Sequence, residues 1–196
     1  VYAYMKPARA VGGDLYAVFQ IDEENILTAV ADVAGKGIPA SLFSVRTKVY
    51  IQIYGEMGLK PSEILENVNK RLCQNNDEFI FVTAFLGILN TKTGRFIYSN
   101  AGHNKPIVAG NKTEWINSVK RLPLGCMDDS EYLDEEIYLN TGESVFIYSD
   151  GVTEALGKDD NFYGDERLFN RLKSIDESMT GRDIIDKIIL DLKEHY

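Results

Sequence analysis

The sequence predicts a mixed α+β fold, with strands in two stacked sheets and helices outside them. Two observations predict this class. Residues 79–89 (FIFVTAFLGIL) are apolar at both parities, as in a strand that is covered on both faces. Along the chain, two β-rich segments come first, two amphipathic helical segments follow, and several short strands precede a helical tail. This grouped order is an α+β pattern.

The first predicted elements are a hairpin and a long helix. Residues 14–20 (DLYAVFQ) and 26–32 (ILTAVAD) are β-rich, and residues 21–25 between them form a turn cluster, which predicts an antiparallel hairpin. From Ile38 the apolar residues recur at the period of an amphipathic helix. Its predicted apolar face consists of Ile38, Leu42, Val45, Val49 and Ile53. Pro39 is tolerated because an N–H in the first turn has no intrahelical partner.

The rest of the chain is predicted to hold a second helix, short strands and a helical tail. The second helix covers residues 61–74, with Ile64, Leu65, Val68 and Leu72 as its apolar residues. Thr180 caps the last helix, and Asp183 three residues later makes a variant of the capping box. The remaining strands are predicted at 95–101, 105–109, 113–116, 132–139 and 144–149.

Composition sets bounds on what the protein does. A chain of 196 residues with 44% apolar and 26% charged residues suits one globular domain. A net charge of −9 argues against nucleic-acid binding and against contact with anionic membranes, which need clustered Lys and Arg. No apolar run has the length of a membrane helix, and two isolated cysteines suit free thiols in a reducing cytoplasm. We expect a cytoplasmic domain, and the start at Val1 indicates a fragment of a longer protein.

Three aspartates stand where a metal ion could be held. Asp32 ends a predicted strand and is followed by the glycine-rich turn of residues 31–40 (ADVAGKGIPA). Asp14 follows two glycines, and Asp150 precedes Gly151. Carboxylate oxygens are the ligands that Mg(II) and Mn(II) prefer, and glycine lets the backbone approach an ion. The alternative is three ordinary turn aspartates, since Asp-Gly is a strong hairpin signal.

Other chemistries have less support in the sequence. There is no Gly-x-Ser-x-Gly nucleophile elbow. Residues 35–37 (GKG) are not a Walker A loop, because the upstream glycine and the Ser or Thr after Lys36 are missing. His103 follows a strand, and two interpretations of it stay open. It either lies near the site, where it faces the substrate or stands behind the metal ligands, or it is a structural turn histidine. His195 is nearly terminal and carries no functional signal.

Five motifs, taken together, resemble one known family. They are 7–16 (PARAVGGDLY), 31–40 (ADVAGKGIPA), 81–85 (FVTAF), 100–103 (NAGH) and 148–155 (YSDGVTEA). Their order and spacing resemble the bacterial branch of the PPM metal-dependent serine/threonine phosphatases. That branch contains the stage II sporulation protein E domain and the sigma-factor regulator phosphatases. The resemblance covers nearly the whole chain, so it implies a single PPM-type domain over residues 1–196.

The resemblance implies a fold and a metal centre. The fold is an αββα sandwich of two antiparallel sheets flanked by helices. Asp32 is then expected to bridge two Mn(II) or Mg(II) ions, with Asp14 and the backbone carbonyl of Val33 on one ion and Asp150 on the other. A water made acidic by both ions would attack phosphorus, so no phosphoenzyme is needed.

The resemblance also implies supporting residues around the metals. Arg9, five residues before Asp14, is expected to bind the substrate phosphate through bidentate hydrogen bonds. A surface salt bridge is the alternative for Arg9. Gly13, Gly151 and His103 are expected behind the ligands or facing the substrate.

The implied partners are proteins. By resemblance, the substrate is a small phosphorylated anti-anti-sigma regulator of the STAS type. A fused upstream sensor domain is expected to act on the first two helices, the first of which begins about six residues after Asp32. A homodimer is compatible with the sequence, whereas nucleic acid and membrane contact are not expected.

One departure from the family pattern keeps a second interpretation open. The family ends in an Asp-Asp-x-Thr motif whose aspartate binds metal, and this sequence stops at residues 194–196 (EHY) without it. The second metal site is thereby in question. A non-catalytic module of the same fold that binds a phosphoprotein is the main alternative to a phosphatase. A nucleotide-binding protein that uses residues 35–37 is a weaker one.

Overall fold

A computed structural model describes residues 1–6, 12–176 and 178–196 of the chain. The elements run in the order β1 Leu15–Gln20, β2 Asn25–Val33, α1 Ile38–Glu56, α2 Pro61–Cys73, β3 Val82–Asn90, β4 Arg95–Ala101, β5 Ile107–Ala109, β6 Glu114–Trp115, β7 Glu135–Tyr138, β8 Ser144–Phe146, α3 Asp150–Thr153, α4 Asp165–Lys173 and α5 Gly181–His195. Contacts along the chain divide it into two units. The five-stranded unit is Met5–His103 with Ser118–Leu139, and the three-stranded unit is Val1–Tyr4, Asn104–Asn117 and Asn140–Tyr196. The expectation of one domain stays a prediction.

The five-stranded unit contains an antiparallel sheet in the order β1-β2-β3-β4-β7. The predicted hairpin is confirmed: β1 and β2 pair from Leu15 opposite Ala31 to Gln20 opposite Ile26. Asp22 closes the turn, because its Oδ1 accepts hydrogen bonds from the backbone N–H groups of Glu24 and Asn25, each at 2.8 Å. Since pairing is continuous, the turn fixes which residues face each other at the far end of the hairpin.

The core of this unit lies between one face of the sheet and helices α1 and α2. Alternate residues of β2 are buried there, as the period of a strand requires, and they are Leu27, Ala29, Ala31 and Val33. The predicted apolar residues of α2 are buried as well, namely Ile64, Leu65, Val68 and Leu72. Asp32 therefore belongs to the other face of the sheet, away from the helices.

Helix α1 begins at the predicted residue, but the face that its apolar residues form is exposed and is not the buried face of the helix. Ile38, Leu42 and Val45 are 70%, 61% and 60% exposed, and Val49 and Ile53 are exposed too. The buried residues of α1 are Ala40, Phe43, Ser44, Thr47, Ile51 and Gly55. Small residues let the helix approach the sheet: a Cβ on Gly55 would lie 2.8 Å from Cδ1 of Leu27. Buried Thr47 satisfies its hydroxyl by donating to the carbonyl of Phe43 at 2.8 Å.

The three-stranded unit contains the antiparallel sheet β6-β5-β8 and helices α3, α4 and α5. Its core includes Ile107, Leu168, Leu172, Ile184 and Ile188. The predicted cap of α5 is confirmed: the Thr180 hydroxyl accepts from the N–H of Asp183, whose carboxylate accepts from the N–H of Thr180 at 2.8 Å. Among the described residues, no helix has the length and apolar character needed to cross a membrane.

A buried carboxylate ties the last two helices of this unit together. Asp191 accepts hydrogen bonds from the Tyr163 hydroxyl at 2.6 Å and from Arg167 and Arg171 at 3.1 and 2.6 Å. Burial alone would raise the pKa of Asp191, but these hydrogen bonds outweigh it and hold that pKa well below its usual range. His195, which carried no sequence signal, packs edge-on against the ring of Tyr163.

Candidate active site

Two of the predicted metal ligands, Asp14 and Asp32, lie at the open end of the first hairpin. Leu15 pairs with Ala31, so continuing this register by one residue places Asp14 opposite Asp32. Both aspartates are half-buried. Side chains directly opposite in an antiparallel pair have Cβ atoms about 5 Å apart, and like charges there are destabilising. A divalent cation between the carboxylates would offset that repulsion, so the pair suits a metal ion.

Gly13 provides a close approach to the third predicted ligand, the carbonyl of Val33. An ideal Cβ on Gly13 would lie 2.7 Å from the Val33 carbonyl oxygen. Any other residue would press its side chain onto that oxygen, so the arrangement requires glycine. Two carboxylates and a carbonyl are all hard oxygen donors, which fits Mg(II) or Mn(II) and does not fit a thiophilic metal.

The turn after Asp32 connects the strand to helix α1. The N–H of Ala34 donates to the carbonyl of Phe81 at 2.8 Å, which extends the contact between β2 and the segment before β3. Gly35 and Gly37 have φ of 104° and 82°, a region that side chains other than glycine avoid. Lys36 between them is exposed, as a solvated turn lysine would be.

A buried polar network lies next to Asp32 on the neighbouring strand. Thr83 pairs opposite Asp32, and its hydroxyl lies 3.0 Å from Nδ1 of His103. His103 is only 2% exposed, and its backbone N–H donates to Oδ1 of Asn100 at 2.7 Å. The Asn100 amide donates in turn to the carbonyl of His103 and to the Ser118 hydroxyl, at 3.2 and 3.0 Å. This network can fix the side chain of Thr83 beside the carboxylate.

His103 is predicted from the sequence as a site residue, whereas Thr83 is not. A threonine inside the apolar motif 81–85 carries no signal of its own. Its place became visible only through the cross-strand register with Asp32. The predicted role of His103 stays a prediction.

Asp150 belongs to the three-stranded unit. It is exposed and is the first residue of α3, where its carbonyl accepts from the N–H of Glu154 at 2.7 Å. Asp150 and Gly151 thus open a helical turn, and the alternative of an Asp-Gly hairpin does not apply to them. Among residues 1–6, 12–176 and 178–196, no group of three or more His, Cys, Asp or Glu side chains is placed to hold a metal ion. Arg9 lies outside the described residues.

The fold is that of PP2C-type phosphatase domains. The chain is similar to the SiaA-PP2C domain of Pseudomonas aeruginosa, with a TM-score of 0.84 at 20% identity, over 97% of this chain and 76% of that one. It is also similar to RsbX, solved in complex with magnesium, with a TM-score of 0.70 at 19% identity, over 99% of this chain and 85% of that one. The predicted fold class is confirmed.

The sequence comparisons define the family within that fold. The profile of the stage II sporulation protein E (SpoIIE) family matches residues 22–196, so the chain belongs to the SpoIIE family. Phosphoserine phosphatase RsbU of Bacillus subtilis is 37% identical over 150 residues, which are 76% of this chain and 44% of RsbU. The chain spans less than half the length of the curated relatives it matches. The predicted resemblance is confirmed.

Proposed function

We propose that this domain is a metal-dependent phosphatase that hydrolyses phosphoserine or phosphothreonine in a protein substrate. The observation that carries the proposal is the register of β1 and β2, whose continuation by one residue sets Asp14 opposite Asp32, in a chain of the SpoIIE family. The name of its relative RsbU, a phosphoserine phosphatase, supports the substrate class.

The proposed ligands are oxygen atoms of this chain. Asp14, Asp32 and the Val33 carbonyl would hold one Mg(II) or Mn(II) ion, and Asp150 with Asp32 would hold a second. When bound, such ions would supply Lewis acidity, which activates water near neutral pH and offsets charge on a phosphoryl group. The magnesium in the RsbX structure supports a divalent cation in this fold. The assignment of Asp150 rests on its motif alone.

The other site residues act by binding and positioning. Arg9 binds the substrate phosphate through its guanidinium group. Gly13 leaves the Val33 carbonyl free of a side chain, and Gly151 would let the backbone after Asp150 approach an ion held there. His103 acts through Thr83, whose hydroxyl it holds across from Asp32.

The proposed partners follow from the same branch of the family. The substrate is a serine-phosphorylated STAS-type regulator in the cytoplasm. A fused upstream domain regulates activity by docking on the exposed apolar stripe of α1, which is Ile38, Leu42, Val45, Val49 and Ile53. Equal metal affinity and equal turnover with and without the native upstream domain would contradict the regulatory part.

The test of the proposed function is hydrolysis of p-nitrophenyl phosphate during a manganese titration. We expect manganese-dependent turnover that Asp32→Asn lowers by at least about 100-fold, because the carboxylate at the centre of the ligand set becomes neutral. Asp129→Asn, which changes an exposed aspartate of the same unit, is the matched control and should keep activity.

The outcomes separate the two interpretations of the fold. Turnover that survives chelation of all divalent metal, or that Asp32→Asn leaves intact, contradicts the proposed mechanism. A folded protein that binds a phosphoprotein but never hydrolyses p-nitrophenyl phosphate at any manganese concentration would be the non-catalytic module.

A further inference from the structure

The loop at residues 75–81 contains an exposed phenylalanine whose backbone conformation is unfavourable. Phe79 is 85% exposed, and its φ of 52° is in the left-handed region. An L-residue there costs about 1 to 2 kcal/mol relative to the ordinary helical region. An exposed phenyl ring also forfeits the stabilisation that burial would give. Backbone strain of this kind clusters at functional sites, where the surroundings enforce it.

The surroundings of Phe79 enforce its conformation through one side chain. The Asn76 amide donates to the carbonyls of Ile80 and Gly125, at 2.7 and 3.2 Å. Its Oδ1 accepts from the N–H of Ile80 at 3.0 Å, and its backbone carbonyl accepts from the N–H of Phe79 at 3.1 Å. These hydrogen bonds hold the backbone before and after Phe79, so the loop is already ordered before a partner binds the ring. A ring fixed in advance loses less entropy when a partner binds it.

The loop is joined directly to the strand end that carries Asp32. The carbonyl of Phe81 accepts from the N–H of Ala34, which lies two residues after Asp32. Phe81 is itself exposed, so two aromatic rings follow each other along this segment. A hydrogen bond thus links the base of the loop to the segment that follows Asp32, and we expect a macromolecule bound at Asp14 and Asp32 to reach the loop.

The residues around Phe79 indicate the kind of partner surface that is complementary to this loop. Phe79 is almost fully exposed at the end of the turn over residues 76–79, so its ring suits insertion into a hollow of a partner and does not suit enclosure of a small molecule. Asp77 and Glu78, both exposed, precede the ring. The complementary surface is an apolar hollow with a basic rim on a folded protein.

We propose that Phe79 is a docking residue for the phosphoprotein substrate, which receives the ring in an apolar hollow close to its phosphorylated serine. This inference rests on the proposed phosphatase function and adds the surface by which the domain selects proteins over small phosphate esters. A large apolar residue inserted at the centre of an interface typically dominates the binding energy.

The experiment compares two substrates on Phe79→Gly, because glycine adopts the observed φ without strain and the loop should keep its shape. The substrates are p-nitrophenyl phosphate and a serine-phosphorylated STAS-domain protein. We expect the ratio of kcat/KM for the protein to kcat/KM for the ester to fall by about 30-fold, mainly through KM. Phe79→Tyr keeps the ring and should restore the ratio to within about threefold.

A matched control and the contrary outcomes complete the test. Phe162→Ala removes another exposed phenylalanine, in the three-stranded unit, and should leave the ratio unchanged. An unchanged ratio in Phe79→Gly, or equal losses on both substrates, overturns the docking role. If the unaltered domain hydrolyses neither substrate, the proposed function fails, and docking is decided by titrating the same phosphoprotein into both proteins. Weaker binding to Phe79→Gly supports docking, and equal binding refutes it.

Discussion

Replacing Gly13 by alanine should damage both stability and metal binding. The added Cβ would lie 2.7 Å from the Val33 carbonyl oxygen and 3.2 Å from the Val33 Cβ. The first contact is with backbone, which cannot rotate away as a side chain does. The hairpin end must therefore open by several tenths of an ångström. Overpacking of this kind costs about 1 to 3 kcal/mol of unfolding free energy.

The same displacement should weaken metal binding, because it separates Asp14 from Asp32 at the end of the hairpin. Changes that misorient metal ligands lower affinity by about 10- to 100-fold, and we expect a loss in that range for manganese. Urea unfolding in the presence of chelator measures the first effect, and calorimetric titration with manganese measures the second.

Gly151→Ala is the matched control, because both glycines adjoin a proposed metal ligand. A Cβ on Gly151 would approach nothing nearer than the Ser149 hydroxyl at 3.8 Å, which is an ordinary contact. Gly151 also lies in α3, where alanine is favoured over glycine by up to about 1 kcal/mol. Gly151→Ala should thus be neutral or slightly stabilising in urea unfolding, and it serves as the control for stability alone. If Gly13→Ala unfolds at the same urea concentration as the unaltered domain and binds manganese equally well, the steric reasoning is refuted.

Two further predictions concern the helices. Val45→Lys, on the exposed stripe of α1, should change the unfolding free energy by less than about 0.5 kcal/mol, whereas Phe43→Ala on the buried face should cost about 3 to 4 kcal/mol in urea unfolding. Comparable losses would contradict the observed orientation of α1. Asp191→Asn should destabilise the domain by about 2 kcal/mol at neutral pH. This is less than the loss of a fully buried ion pair costs, because the arginine partners of Asp191 are partly exposed to solvent. Because hydrogen bonds from Arg167 and its neighbours overcome burial and depress the pKa of Asp191, this stability is present above pH 3.8 and is lost as the pH falls through the lowered pKa. Urea unfolding of both proteins across pH should show the difference shrinking in acid, and a difference that grows there would refute the linkage.

The fold was predictable where local pattern and tertiary contact agree. The hairpin over residues 14–32 has two β-rich segments, a turn cluster between them and an aspartate at each end. The structure contains the two strands and the turn at these positions. Helix α1 shows the limit, because its period predicts a helix without saying which face meets the sheet. The buried face uses Ala40, Ser44 and Gly55, which have little hydrophobic signal and serve through their small size.

The candidate site was predictable only where residues carry their own chemistry. Asp14 and Asp32 could be paired, because a hairpin folds the two ends of one segment onto each other. Thr83 and Phe79 could not be found in this way. The first depends on a cross-strand register, and the second reads as one more apolar residue of a buried strand until its exposure is known.

The way α1 packs bears on how the proposed site could be regulated. The buried face of α1 includes Phe43 and Ile51 besides small residues, so a shift of the helix would carry packed core contacts with it. The helix begins directly after Gly37, and only the turn of residues 34–37 separates it from the strand that carries Asp32. Ala34 within that turn is bonded to Phe81, at the base of the Phe79 loop. A partner on the exposed stripe would therefore act on the proposed ligand Asp32 and on the docking residue Phe79 through one shared turn.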